Sequence, residues 1–262
     1  MAMARLITGL SRAKEQQEQE RLFVYAASRI ERALRLEIRR AMREMADVYD
    51  STGKLAAAQA KHRENMEKIL ERGWRSVFDS FGTRILDAAE KSYRHMERKE
   101  LFGSYAEMVD RWIRRFGAQK VTEIIGTTKE QAMAVINEIT KEATREGLAQ
   151  AATGRMIKKA MDERSAVMSV ARSRVIARTE THAASQAANH AAIKSTGLPA
   201  KKEWLSSSGS RTRDDHADAD GQTVSLDKPF IVGGEELQYP GDPSGSAANV
   251  INCRCASGVV VE

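Results

Sequence analysis

The sequence predicts an α+β protein in which an elongated, mostly helical N-terminal region precedes a small C-terminal α+β domain with a short antiparallel sheet. Two observations carry this. All four prolines, Pro199, Pro229, Pro240 and Pro243, fall after residue 198, together with both cysteines. A proline costs about 3 kcal/mol inside a helix, so the long stretch before it is free to be helical. Charged residues make up 30% of the 262 residues and aromatics only 5%, a balance of long solvated helices rather than a β-sandwich.

The first helix is expected from about Ser11 to Asp50, where Phe23, Ala26, Ile30, Leu34, Ile38, Ala41, Met45 and Val48 step by three or four. Ser51-Thr52-Gly53 reads as its stop. A second is expected over 55–100, with Met66, Leu70, Trp74, Val77, Phe81 and Ile85 on one stripe and Gly73 and Gly82 weakening it. Two such helices in series suggest an antiparallel hairpin. A shorter helix follows near 105–116. Thr127-Thr128-Lys129-Glu130 has capping-box spacing and predicts a new start, running to Gly147. Helices over 148–161 and 165–196 complete this part, the last halted by Gly197-Leu198-Pro199. Beyond it, strand-like runs at 202–205, 223–226, 230–232 and 258–261 alternate with Gly, Pro, Asp and Ser clusters. The domain reading is a helical arm, 1–146, and a C-terminal domain, 147–262.

Net charge is +6, but from Pro199 onward six Lys and Arg stand against ten Asp and Glu, a balance of −4 that leaves +10 on the first 198 residues. A basic helical surface suits nucleic acid, because neutralised phosphates release counterions; a solvated helix face has the same composition. The opening MAMARLITGL is too short and broken for a signal-peptide core, and no run approaches a membrane span, so no membrane partner is expected. Cys253 and Cys255 are too close in sequence for an ordinary disulfide, which fits synthesis in a reducing cytoplasm.

Three constellations can carry chemistry. Arg174, Arg178 and His182 recur every fourth residue and line one helix face, able to grip a phosphate or to brace a carboxylate of the following β region. Next come Trp204, then Ser210-Arg211-Thr212-Arg213-Asp214-Asp215-His216, then Asp220-Gly221, which makes a tight turn cheap. Arg211 and Arg213 on an extended segment would face the same way and could clasp an anion. Last is Asn252-Cys253-Arg254-Cys255. On a strand both thiols share a face, and with His216 they make three ligands of the kind zinc favours, the fourth coming from Asp214, Asp215 or His182 if the fold brings one in. Small buried cysteines are the alternative. No nucleophile elbow, phosphate-cradling loop or carboxylate pair emerges, so no catalytic residue is assigned; a metal-dependent hydrolase or effector would have to be built on His216, Cys253 and Cys255.

Taken in order, Ile176-Ala177-Arg178-Thr179-Glu180, Trp204, Arg211-Thr212-Arg213-Asp214-Asp215-His216, Asp220-Gly221, Pro229-Phe230, Pro240-Gly241-Asp242-Pro243 and Asn252-Cys253-Arg254-Cys255 resemble the C-terminal domain of Mu F-type phage head morphogenesis proteins, over roughly 147–261. The resemblance marks Arg178, Thr179, Glu180, Trp204, His216, Asp220, Gly221, Pro243, Asn252 and Arg254 as family-motif residues. It implies a minor capsid protein of a tailed bacteriophage, located in the virion at the capsid interior or portal vertex, oligomeric there, and partnered by portal, capsid or scaffold proteins and by double-stranded DNA. It brings no established catalytic residue and no cofactor. Gly209 stands where relatives tend to carry an acid. Residues 1–146 hold no family motif; Arg35, Arg39 and Arg43 on the first helix, with Arg174, Arg178, Arg211 and Arg213, are the candidate nucleic-acid or phosphate contacts.

Overall fold

The computed structural model describes residues 12–48, 52–92, 97–207 and 210–261. Four long helices come first: α1 (Arg12–Asp47), α2 (Thr52–Ser92), α3 (Arg98–Arg145) and α4 (Gln150–Ser195). Seven short elements follow: β1 (Ala200–Leu205), α5 (Asp214–Asp218), β2 (Thr223–Ser225), β3 (Phe230–Val232), β4 (Glu235–Leu237), α6 (Ala247–Val250) and β5 (Ala256–Val261). The α+β class and the helix-then-sheet order are as the sequence predicts.

The stripes read from periodicity are the buried ones. Ala26, Ile30, Leu34, Ile38, Ala41 and Met45 of α1 are buried, as are Met66, Leu70, Trp74, Val77, Phe81 and Ile85 of α2, while Arg32, Arg35, Arg39 and Arg43 face outward. Several helix boundaries differ from expectation. Thr52 opens α2 instead of stopping α1, Ser11, Asp50 and Ser51 lie outside the described residues, and α2 ends at Ser92. Thr127 and Thr128 start no helix: they sit inside α3, where their hydroxyls donate to the carbonyls of Glu123 and Ile124 four residues back. A Thr hydroxyl satisfied within the helix this way cannot cap a new one. The helices expected over 148–161 and 165–196 are one, α4.

Two glycine stops end the long helices. Gly147 has φ +65°, its N–H bonds to the Thr144 carbonyl and that of Leu148 to Ala143, the Schellman pattern that caps the last carbonyls of α3. Gly197 ends α4 with the same φ, and Pro199 follows.

The chain divides into two compact units. One gathers Arg29–Arg72 and Arg115–Ala177. Its interior is largely aliphatic, with Leu34, Ile38, Met42, Met66, Leu70, Ile136 and Met161 fully buried, and in it His62 Nδ1 meets Glu37 Oε1 at 2.8 Å. The other gathers the chain up to Ser28, Gly73–Arg114 and Arg178 onward. Here Trp74, Phe78 and Trp112 stack edge-on, with centroids 5.2 and 5.5 Å apart. The C-terminal half of α4 is lined with buried alanines, Ala183, Ala184, Ala187, Ala188 and Ala192, whose small side chains let other segments approach the backbone closely.

The sheet in this unit runs β2-β1-β5, all antiparallel, with Lys202 opposite Val224 and Val259. A separate hairpin pairs β3 with β4. The β4 strand escaped the sequence reading because Glu235-Glu236 break its apolar pattern, yet Gly233-Gly234, both at positive φ, are the two-residue turn that such a hairpin requires. Trp204, Ala219, Phe230, Val232, Leu237, Cys253 and Cys255 form the core of the region.

Candidate functional site

The polar residues of α4 hold the motif loops in place. Thr179, Glu180, Thr181, His182, Ser185 and Gln186 are all buried, an unusual run for a helix, and for Thr179, Glu180 and Gln186 the partners on other segments explain it. Thr179 Oγ1 accepts the Asn252 N–H at 3.2 Å, Gln186 Oε1 accepts the N–H and hydroxyl of Ser257 at 3.1 and 3.2 Å, and Glu180 Oε2 accepts the Trp74 indole N–H at 3.1 Å. Asn252 sits at φ +58°, a conformation asparagine tolerates better than most side chains. That turn swings the chain from α6 into the segment holding both cysteines.

The other motif residues are architectural as well. The turn expected at Asp220-Gly221 is present: Gly221 has φ +77° and donates to the Trp204 carbonyl, while Asp220 Oδ1 accepts the Ser206 N–H at 2.7 Å. Pro240, Gly241, Asp242 and Pro243 are buried. Asp242 folds that loop by accepting the N–H groups of Gln238 and Ser244 at 2.8 and 2.9 Å. A Cβ at Gly241 would stand 2.7 Å from His182 Cδ2, so the loop lies directly on the histidine. Burial, and His216 nearby, push His182 down to about 4, so its ring is neutral at pH 7.

His216, Cys253 and Cys255 come together although 37 to 39 residues separate them. His216 Nδ1 lies 3.3 Å from Cys255 Sγ and 3.7 Å from Cys253 Sγ, and the three potential ligand atoms all lie within 4.8 Å of one another. All three residues are buried. The cysteines do not ride on a strand as expected: β5 begins only at Ala256, and they project from the irregular segment before it. Asp214 and Asp215 are exposed on α5 and do not join the group, nor does His182. The hydrogen bond between the two thiols holds Cys255 well below the ordinary thiol range, and the same contact together with burial pushes Cys253 up.

Beside this cluster lies a cleft of about 450 Å³, lined by Arg178, His182 and Gln186 of α4, by Cys253, Arg254 and Cys255, and by Glu20 and Phe23 of α1. Arg254 is exposed, and its guanidinium is held below the usual arginine range by the charge of Arg211 first, then by partial desolvation and the charge of Arg178. Arg213 parts from Arg211: its Nη2 donates to the Ile251 carbonyl at 2.5 Å and braces α5 against the end of α6. Gly209 lies outside the described residues.

A family model described as phage Mu protein F like protein matches residues 119–257, more than half of the chain. The chain belongs to this family, that of phage head morphogenesis. The match begins inside α3, ahead of the motifs, and ends within β5. Two curated relatives match parts of this chain. An uncharacterised protein YqbB of Bacillus subtilis (strain 168) is 36% identical over 95 residues, 35% of this chain. An NAD(+)–arginine ADP-ribosyltransferase EFV of Enterococcus faecalis (strain ATCC 700802 / V583) is 33% identical over 90 residues, 33% of this chain. The aligned stretches span only 31% and 18% of those proteins' own lengths. No solved structure matches.

In the unit of Arg29–Arg72 and Arg115–Ala177, Arg35 and Arg39 are exposed and have no ion-pair partner among the described residues. Arg43 meets Asp162 at 2.5 Å, and Arg174 pairs with Glu31 of α1 at 3.8 Å rather than with a carboxylate of the β region. Three site residues have no sequence signal of their own: Asn249, Gln186 and Lys202. Asn249 faces His216, Gln186 holds β5, and Lys202 is buried on β1, where its ammonium donates to the carbonyl and side-chain oxygens of Gln238.

Proposed function

We propose that this protein is a minor capsid component of a tailed-phage head, associated with the portal and contacting packaged duplex DNA through Arg178, Arg211 and Arg254. Family membership supports the head assignment. What favours a phosphate ligand is that Arg178 and Arg254 both line the cleft, with Arg211 near enough to Arg254 to repel its charge. Like charges repel, and an anion bound among them relieves that repulsion. The exposed Arg35 and Arg39, and the +10 balance of the first 198 residues, supply a second basic surface. No helix among the described residues is long and apolar enough to cross a membrane.

The test is duplex binding as a function of salt. Log affinity is expected to fall linearly with log salt, and each phosphate contact removed should reduce the slope by about 0.9. The triple variant Arg178→Ala, Arg211→Ala, Arg254→Ala should flatten the slope by about 2 to 3 on that scale and weaken all sequences alike. Undetectable binding at low salt, or a slope the triple variant leaves unchanged, contradicts the DNA contact. The protein is proposed to act by binding rather than catalysis; incubation with NAD and an arginine-containing acceptor should give no transfer of ADP-ribose, and transfer would overturn that part.

A further inference from the structure

We propose that His216 Nδ1 and the thiolates of Cys253 and Cys255 hold one zinc-class divalent cation, which fastens the short helix α5 to the segment leading into β5. The argument begins with an amide. Asn249 Nδ2 donates to the Val232 carbonyl at 3.3 Å, which turns its Oδ1 toward His216 Nε2, also at 3.3 Å. A carbonyl oxygen only accepts, so Nε2 carries the ring proton. Nδ1 is then left with a lone pair, and that lone pair faces two sulfurs. A histidine whose second nitrogen is pinned to a carbonyl oxygen while the first points at thiols is the arrangement of a metal ligand with its outer support.

The spacing fits. With zinc–sulfur bonds of about 2.3 Å and zinc–nitrogen bonds of about 2.05 Å at tetrahedral angles, a ligand nitrogen and sulfur lie roughly 3.5 Å apart. The observed separations of 3.3 and 3.7 Å bracket that value. Two thiolates and an imidazole select a borderline-soft cation over magnesium or calcium, which prefer oxygen. Three protein ligands leave the fourth position to solvent, which can enter from the cleft that Cys253 and Cys255 line. The region also gains most from such a link: its core is seven residues, two of them these cysteines, and the segments joined lie far apart in sequence.

The experiment uses the full chain purified without chelator. Zinc is expected at one equivalent, with both thiols unreactive to a disulfide reagent until a chelator is added. Cobalt(II) put in its place should give the visible bands of a four-coordinate site and a near-ultraviolet thiolate-to-cobalt transition. Cys253→Ser and Cys255→Ser should each abolish that transition. If either variant fails to fold, Asn249→Ala serves instead, expected to lower metal affinity by about 10- to 100-fold while keeping the thiolate band. Zinc well below one equivalent with thiols equally reactive before and after chelation, or a cobalt complex without the thiolate transition, overturns the proposal.

Discussion

The indole N–H of Trp74 donates to Glu180 Oε2 at 3.1 Å, joining α2 to the first motif of α4 across 106 residues of sequence, with both side chains buried. Glu180 is therefore a motif residue for structural reasons: a buried carboxylate needs donors, and this indole is one of them. A double-mutant cycle of Trp74→Phe and Glu180→Gln, followed by denaturant unfolding, is expected to give a coupling energy of about 0.5–3 kcal/mol. Strict additivity would show that the contact is incidental.

Gly82 illustrates how tertiary packing reverses a helix propensity. Replacing glycine by alanine inside a helix ordinarily stabilises by up to about 1 kcal/mol. Here a Cβ at residue 82 would fall 1.8 Å from the Tyr105 hydroxyl oxygen, and that hydroxyl donates to the Phe78 carbonyl at 2.6 Å in a buried setting. Tyr105 cannot yield without losing its partner. Gly82→Ala is expected to destabilise by roughly 1–3 kcal/mol, the usual cost of overpacking, with a lower thermal midpoint as the readout. An unchanged or raised midpoint contradicts the close packing.

Lys202 sets a pH dependence whose sign follows from its burial. The side chain is 1% exposed beside Phe230, and desolvation pushes its pKa down to about 8, with Asp242 pulling the other way. In the unfolded chain the amine titrates near 10.5, so between about 8 and 10.5 the unfolded state binds more protons and stability rises with pH. Below about 8 the cost of burying the cation is fully present. Unfolding free energies of the wild type minus those of Lys202→Met, taken across this window, are expected to climb with pH; a flat difference would show that the ammonium is not desolvated.

Much of the helical part was legible because periodicity is a local signal: the stripes from Ala26 to Met45 and from Met66 to Ile85 are the buried faces. Boundaries were harder. Thr127-Thr128-Lys129-Glu130 has the residues of a capping box, but whether a Thr hydroxyl caps a new helix or bonds back within an existing one depends on the backbone beyond it, and here α3 simply continues. The same limit hid α5, which is five residues long and gains its place from the burial of His216. At the site, residue types pointed to His216, Cys253 and Cys255, and the fold brings them together from a short helix and an irregular segment rather than from a strand. Asn249 carries no local mark; only its two hydrogen bonds, to Val232 and His216, show what it does.

Sedimentation of phage heads assembled with their portal tests the head assignment most directly. The full chain, co-expressed with the portal and capsid proteins of a tailed phage head, is expected to travel with portal-containing heads and to remain on them through a second gradient. Recovery of the chain at the top of the gradient while portal and capsid proteins sediment together would contradict it.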